Sequence, residues 1–318
     1  MFGVLRSRTP PSATILAGFL GAGKTTLLNR ILSASDQTSI GVLVNDFGEI
    51  NVDADLIEGV HDDVISLKNG CVCCDVRGDL VQAVRKLLRR KDPPKQILVE
   101  TSGVADPGEV ARTFLAMQAR RRLRLDAVVT MVDAERFSTL TAGHRLLAER
   151  QVRLADIIVL NKLDLVPPEQ ADMIERQLRS NMPQVRLVRA VEADVPLEVL
   201  VGPKSTAAEA DTSGHAHPHV AFMQSTLQTD TPLNTDALNH LLASLPTSVL
   251  RIKGFVWLEA RPRRRFLLQV VGRRARLTDA GRWGRRHPRG NRLVVIGETD
   301  GFDPRDLQSR LEACGPRA

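Results

Sequence analysis

The chain contains 318 residues, of which 43% are hydrophobic and 3% aromatic, with no tyrosine and a formal net charge of +7. This length predicts one large domain and a smaller one, and the scarcity of aromatic side chains argues against a stacking platform for single-stranded nucleic acid. No apolar run approaches the ~20 residues that span a bilayer, and residues 1–13 lack the apolar stretch of a signal peptide. We therefore expect a cytoplasmic protein with reduced thiols and no membrane partner.

Short β-branched segments alternate with helical ones through the first two thirds of the chain. Strands are predicted at 14–18, 40–45, 96–100, 127–133, 156–161 and 184–190. Their nearly continuous apolar character is typical of a mainly parallel sheet with helices on both faces, which predicts an α/β fold. We place a flexible tail at 1–12, the α/β domain at 13–202, a histidine-containing linker at 203–219 and a second domain at 220–318.

The segment after the first predicted strand, GFLGAGKTT, fits the phosphate-binding pattern G-x-x-x-x-G-K-[ST] and indicates a P-loop NTPase domain. Backbone N–H groups of such a loop surround phosphate oxygens, and the following helix adds the positive end of its dipole. Lys24 is expected to reach the β and γ phosphates, and the Thr25 hydroxyl to hold Mg²⁺. The candidate nucleotide-binding residues here are Gly18, Gly21, Ala22, Gly23, Lys24, Thr25 and Thr26. The alternative is a glycine-rich turn with a chance lysine.

Three of the four cysteines, Cys71, Cys73 and Cys74, lie within the sequence NGCVCCDVRG. A C-x-x-C redox pair is one interpretation, but no thioredoxin-like unit surrounds it. Buried, inert thiols are another, although the segment is polar and flanked by glycine. A thiolate metal site is favoured, because three soft sulfur ligands suit Zn²⁺ or Cu(I).

A tetrahedral zinc ion at these thiols needs a fourth donor. Glu49, His61, water or a ligand from a partner are the candidates. The thiols follow a candidate first switch at 44–53, a region that the γ-phosphate typically orders. An incomplete protein ligand set suits a carrier that must release its metal, whereas a structural zinc site is usually closed by four protein ligands.

The predicted strand at 96–100 ends in Glu100, and Gly103 follows within ETSGVADP. Many P-loop enzymes carry Asp at this strand end; we expect the longer Glu100 to act on Mg²⁺ through water or to orient the attacking water. Gly103 can present its N–H to the γ-phosphate and move away once that group leaves. We assign catalysis to Lys24, Thr25, Glu100 and Gly103, and expect slow hydrolysis because no arginine finger can be assigned.

The sequence IIVLNKLDLV places Asn161, Lys162 and Asp164 at the end of a predicted strand, where open α/β sheets bind ligands. Asp164 can accept hydrogen bonds from N1–H and the 2-amino group of guanine. Adenine offers no such pair, so a buried carboxylate would be left unpaired by ATP, a penalty on the order of 10⁴-fold by analogy with other polar sites. GTP is therefore the expected nucleotide. An ordinary turn with an Asp cap is the alternative.

Beyond the linker, helices are predicted at 234–246 and 303–314 and strands at 254–260, 265–272 and 291–297, which indicates a small α+β domain. Between Val249 and Arg292, fourteen Lys and Arg residues accompany only two acidic ones. A basic surface could attract nucleic acid or an acidic protein. A solvated face is favoured, because no helix-turn-helix, finger or RRM signature accompanies the charge. Cys314 is expected to be a helix-packing thiol.

The motifs G-F-L-G-A-G-K-T-T, N-D-F-G-E, G-C-V-C-C, E-T-S-G-V-A-D-P and N-K-x-D, in this order, resemble those of the CobW-type GTPases, a family of nucleotide-dependent metallochaperones. The segments RIKGFVWL, LLQVVG and NRLVVIG are similar to that family's C-terminal domain. The resemblance implies slow hydrolysis of GTP to GDP, binding of zinc or a related metal such as Co²⁺ or Fe²⁺ at the three cysteines, and delivery to a client metalloprotein. Asp46 departs from the family's more frequent Glu, whereas Glu49 matches the pattern and is the preferred oxygen ligand.

Two other functions stay open at this point. A zinc storage protein would use the presence of a nucleotide only to set its metal affinity, and that affinity would be the same with GTP as with GDP. A nucleic-acid-associated GTPase would use the arginine-rich second domain and would bind RNA with a steep dependence on salt. We favour the metallochaperone and do not expect nucleic acid as a partner.

Overall fold

The computed structural model describes residues 10–34, 40–46, 64–68, 76–119, 122–201, 222–272, 274–284 and 288–316. In these residues the chain forms two β-sheets, each covered by helices. None of the described helices is both long and apolar enough to cross a membrane.

The first sheet is parallel, and its described strands have the order β3-β2-β4-β1-β5-β6-β7. The strands are β1 Ser12–Gly18, β2 Ile40–Asp46, β3 Val64–Lys68, β4 Gln96–Glu100, β5 Arg124–Asp133, β6 Ile157–Asn161 and β7 Arg186–Arg189. The helices that connect them are α1 Lys24–Ala34, α2 Val76–Leu88, α3 Pro107–Ala119, α4 Ala142–Arg153 and α5 Pro168–Asn181, followed by the short α6 Leu197–Val201. Short 3-10 helices span Phe137–Thr139 and Leu163–Leu165.

Both faces of this sheet are buried, as its apolar strands predict. All ten residues of β5 and all five of β6 are buried. Leu28 of α1 joins the hydrophobic cluster of Leu16, whereas Leu87 of α2 and Phe114 of α3 join that of Ile15. Consecutive residues of β1 therefore face opposite helical layers. The predicted α/β fold is confirmed.

The edge strand β3 is not predicted from the sequence. Of the described strands it pairs with β2 alone, in a register that runs from Val42 opposite Val64 to Asp46 opposite Lys68. A short strand with one neighbour needs no continuous apolar run, so VISLK carries a weak signal. This strand matters because the chain leaves its carboxyl end towards the cysteine segment.

The second sheet is antiparallel, and its described strands have the order β11-β10-β9-β12-β8. The elements are β8 Phe222–Thr229, α7 Thr235–Ala243, β9 Val249–Trp257, β10 Arg264–Val271, β11 Arg274–Arg282, β12 Asn291–Glu298 and α8 Pro304–Glu312. Leu238 of α7 and Leu307 of α8 cluster with Val256 and Val295 on one face of the sheet. The predicted α+β character is confirmed, with β8 and β11 as additional strands.

The other face of this sheet packs on the first domain. Val271 and Ile296 belong to the same buried cluster as Val188. Beside them, Arg251 is 2% exposed, and its Nη2 lies 2.6 Å from Oδ2 of Asp126 on β5. The interpretation of the C-terminal cations as a solvated face is therefore wrong for Arg251, which is an interior residue of the domain interface.

Candidate functional site

The phosphate-binding loop connects β1 to α1 and depends on glycine. Gly18, Gly21 and Gly23 have φ angles of 137°, 74° and 101°, in the region that favours glycine. A Cβ on Gly23 would lie 2.6 Å from Nδ2 of Asn161. Any larger residue at Gly23 would therefore be strained and would displace the side chain of Asn161.

Lys24 and Thr25 lie in the first turn of α1, and Thr25 contacts the end of β4. The buried Lys24 donates a hydrogen bond of 3.3 Å from Nζ to the carbonyl of Phe19. The Thr25 hydroxyl donates a hydrogen bond of 2.8 Å to Oε1 of Glu100, which is 2% exposed. Ala22 is buried within the loop, whereas Thr26 is exposed. A hydroxyl and a carboxylate in contact are the oxygen donors that Mg²⁺ prefers, so these two residues fit that ion.

Gly103 lies directly against the phosphate-binding loop. A Cβ at this position would come within 2.6 Å of the backbone nitrogen of Leu20. The buried amide of Gln151 on α4 donates hydrogen bonds of 3.0 Å to the carbonyls of Gly103 and Ala105. Gln151 therefore fixes the loop that carries Gly103. The sequence does not predict this role, and the one signal for it is the position of Gln151 on the inner face of a helix.

Asn161 joins two loops at the carboxyl edge of the sheet. Its Nδ2 donates to the carbonyl of Ala22 at 3.0 Å, and its Oδ1 accepts from the N–H of Ala193 at 2.8 Å. The side chain is 2% exposed. Asn161 therefore positions the phosphate-binding loop from behind, as part of the wall of the site.

Lys162 and Asp164 lie on the solvent side of the same turn. Lys162 has a left-handed φ of 64°, and its Nζ pairs with Oδ2 of Asp133, the last residue of β5, at 2.7 Å. Asp164 lies in the 3-10 helix Leu163–Leu165 and is exposed. The carboxylate is thus exposed here, so the burial assumed in the predicted preference for guanine over adenine would have to come from a bound base.

The loop after β7 is a further wall of the site that the sequence does not indicate. Glu192 and Ala193 have left-handed φ angles of 49° and 58°. Arg30 of α1 holds this loop: its Nε donates to the carbonyl of Glu192 at 2.9 Å, and its Nη1 lies 3.3 Å from Oδ1 of Asp194. This clamp joins positions more than 160 residues apart, and no local pattern marks either end.

Replacing Asn161 with alanine should lower the free energy of unfolding by about 2 kcal/mol or more. The substitution leaves the carbonyl of Ala22 and the N–H of Ala193 buried without their partner, and each such group costs about 1–3 kcal/mol. Urea unfolding measures the change. Asn181→Ala, at the exposed end of α5, is the control and should change stability by less than about 0.5 kcal/mol. Equal stability of the two variants would contradict this assignment.

The predicted transition-metal ligands Cys71, Cys73, Cys74 and Glu49 lie outside the described residues. Across the described part of the chain, no group of three or more His, Cys, Asp or Glu residues could hold a metal ion. Cys314 is described: it is buried, its Sγ donates to the carbonyl of Arg310 at 3.2 Å, and burial raises the pKa of the thiol. Cys314 is thus a packing residue, as predicted.

Comparison with known proteins agrees with this geometry. Residues 12–189 match the model of the CobW/HypB/UreG nucleotide-binding domain, and residues 222–315 match that of the cobalamin synthesis protein CobW C-terminal domain. The chain is 33% identical to a zinc chaperone CobW of Sinorhizobium sp, over 91% of this chain and 93% of that protein. It is 31% identical to the zinc chaperone YjiA of Escherichia coli, over 91% of this chain and 94% of that protein.

A more distant relative is the zinc-regulated GTPase metalloprotein activator 1 of Dictyostelium discoideum, 28% identical over 85% of this chain and 68% of that protein. The two family models together span both sheets of the structure. Because the first model alone covers more than half of the chain, this protein belongs to the CobW/HypB/UreG family of nucleotide-binding proteins.

Proposed function

We propose that this protein hydrolyses GTP and uses the nucleotide cycle to load or release zinc held by Cys71, Cys73 and Cys74, which it delivers to a client metalloprotein. The observation that carries the proposal is the contact of Thr25 with Glu100 at the phosphate-binding loop. Relatives named zinc chaperone and zinc-regulated GTPase support it. The cycle would take place in the cytoplasm, where thiols stay reduced.

The phosphate-binding loop would supply most of the electrostatic stabilisation. Its backbone N–H groups and Lys24 would hold the phosphates, while Thr25 and Glu100 would hold Mg²⁺. When bound, Mg²⁺ neutralises charge that develops on the phosphate oxygens. Gly103, held against Leu20, would offer its N–H to the γ-phosphate and report the loss of that group.

Base selection would rest on Asp164, whose carboxylate can accept both guanine donors. Asn161 would act indirectly by holding Ala22 and Ala193, and Lys162 would lie beside the base with Asp133 as its counter-ion. The exposed Asp164 would become covered when a base binds against this edge. GTP and GDP are therefore the proposed ligands, with a preference over ATP that depends on how far the base excludes water from Asp164.

The described backbone supports a link between the metal and nucleotide sites. Lys68 at the end of β3 lies opposite Asp46 at the end of β2, and β2 pairs with β4, which ends at Glu100. The chain thus enters the cysteine segment at the same edge of the sheet as Glu100. Thiolates there would favour Zn²⁺, with Co²⁺ or Fe²⁺ as related candidates and Glu49 as an additional oxygen donor.

Zinc binding by the full chain with GTP, with GDP and without nucleotide tests this proposal. We expect the nucleotide state to change the zinc affinity of the wild type. Cys73→Ser should weaken binding by about 100-fold or more, because removal of a ligand exceeds the 10- to 100-fold loss seen for groups that only orient ligands. Competition with a chromophoric chelator gives these affinities.

Cys314→Ala is the matched control, since it removes a thiol that packs in the second domain. It should bind zinc as the wild type does in every nucleotide state. Zinc affinity that responds to Cys73→Ser but is equal with GTP and GDP would instead favour the storage function. The carrier hypothesis is excluded if the wild type binds zinc no better than Cys73→Ser in any state.

A further inference from the structure

A basic cleft lies between the two domains, at the opposite end of β5 from the nucleotide site. Its volume is about 290 Å³. The first residues of β5 form one wall, with Arg124 and Asp126, and β10 and β11 form the other, with Gln269, Arg274 and Arg276. Because the walls belong to different domains, any ligand in this cleft would contact both.

Strand register brings the positive charge of the second sheet to this cleft. Gln269 on β10 lies opposite both Arg276 on β11 and Lys253 on β9. Val271, two residues along β10, lies opposite Arg274 and Arg251 in the same way. Side chains two residues apart on a strand share a face, so the four cations face the first domain together.

Among the residues that the structure describes, two carboxylates meet this charge, and both are already engaged. Asp126 lies 2.6 Å from Nη2 of Arg251 and 3.6 Å from Nη2 of Arg124. Asp156 pairs with Nε of Arg274 at 2.6 Å and also accepts a hydrogen bond from the N–H of Val128. Within the described part of the chain, five cations therefore face two carboxylates, a difference of three positive charges.

Several polar groups of the cleft lack partners within the described residues. Oε1 of Gln269 and Nε of Arg124 are buried without a hydrogen-bond partner, although the two residues are only 6% and 9% exposed. The guanidinium of Arg276 makes no hydrogen bond or ion pair with any described residue. Burial lowers the pKa of Arg276, with Asp126 acting on it only at longer range. Buried polar atoms without partners are rare in proteins and indicate a missing ligand or water.

We propose that this cleft binds a phosphate group, as inorganic phosphate or as the phosphoryl end of a small metabolite. Guanidinium groups match the oxygens of phosphate with paired hydrogen bonds, which Arg276 and Arg124 can supply. Hydrogen phosphate also carries one O–H group, and Oε1 of Gln269 can accept a hydrogen bond from it. The bound anion would offset the surplus charge and join the two domains.

Calorimetric titration of the full chain with inorganic phosphate tests this site. GDP in excess occupies the phosphate-binding loop during the titration. We expect Arg276→Gln to weaken phosphate binding by about 10- to 100-fold, because it removes charged hydrogen bonds to the anion. Arg282→Gln, an exposed position on the same strand, should bind phosphate as the wild type does.

Two further arms separate this site from others. Lys24→Ala should leave the Arg276-dependent binding unchanged, so failure of the nucleotide proposal would not affect the result. Tighter binding of glycerol phosphate than of inorganic phosphate would identify a metabolite as the ligand, and the reverse would identify the free ion. Gln269→Leu should also weaken binding, which keeps the test valid if Arg276→Gln fails to fold. Equal phosphate affinity of wild type, Arg276→Gln and Gln269→Leu would overturn the proposal.

Discussion

Replacing Asp126 with alanine is expected to lower the free energy of unfolding by about 3–5 kcal/mol, the range found when one partner of a buried ion pair is removed. The substitution would leave Arg251 charged and 2% exposed at the domain interface. Among described residues, Arg251 would keep its hydrogen bonds to the carbonyls of Val199 and Leu200, at 3.3 and 3.1 Å. Urea unfolding at neutral pH measures the loss.

A matched control exists within the second domain. Arg264 and Asp279 form an ion pair whose side chains are 42% and 37% exposed, so Asp279→Ala should cost less than about 1 kcal/mol. Replacing both members of the buried pair, as Asp126→Leu with Arg251→Met, should recover much of the stability, because no charge is then left alone in the interior. If Asp126→Ala lowers the free energy of unfolding no more than Asp279→Ala does, the ion pair at the domain interface is hydrated.

The stabilisation by Asp126 should also depend on pH. Burial opposes ionisation of this carboxyl, yet the charges of Arg251 and Arg124 and the hydrogen bond from Arg251 lower its pKa overall. A carboxyl with a lowered folded-state pKa contributes its full stability above its unfolded value, about 3.9, and loses it as the pH falls through the folded value. The difference between wild type and Asp126→Ala should therefore be constant near neutrality and shrink only below about pH 4.

The fold was most predictable where strands are buried on both faces. All five residues of β6 are buried, and a continuous apolar run marks such a strand whatever its neighbours are. Strands β8 and β11 lack this signal: β11 is half-buried to exposed along its whole length and contains Arg274 and Arg276. Side chains of β8 and β11 contact the first domain. Such contacts with distant residues favour the strand conformation but cannot be recognised from the sequence of the strand itself.

The same distinction explains the candidate site. Lys24 and Thr25 follow from a local motif, because backbone geometry and the start of a helix create the phosphate cradle. The residues that hold this cradle, such as Gln151 and Arg30, act from elements 48 and 162 residues away from their partners. Without a nucleic-acid-binding signature, the sequence of the second domain favours a solvated arginine face, whereas burial of Arg251 depends on a carboxylate from the first domain.

Replacing Lys24 with alanine is expected to reduce GTP hydrolysis by about 10²- to 10³-fold, the loss found when one preorganised donor to a developing negative charge is removed. Lys24 is buried at the start of α1, and its ammonium group lies 3.3 Å from the carbonyl of Phe19 in the phosphate-binding loop. In the proposed function it is the side chain that carries positive charge to the β and γ phosphates. Phosphate release from purified protein under single-turnover conditions measures the rate.

Lys86→Ala is the matched control, because Lys86 is exposed on α2 and lies outside the loop. It should hydrolyse GTP as the wild type does, and both variants should keep the zinc-binding thiols unchanged. Zinc release then becomes informative: if hydrolysis drives release, Lys24→Ala should keep its zinc after GTP is added, whereas Lys86→Ala should release zinc as it hydrolyses GTP. Hydrolysis by Lys24→Ala within about 3-fold of wild type would contradict the 10²-fold loss expected here and exclude the phosphate-binding loop as the catalytic site.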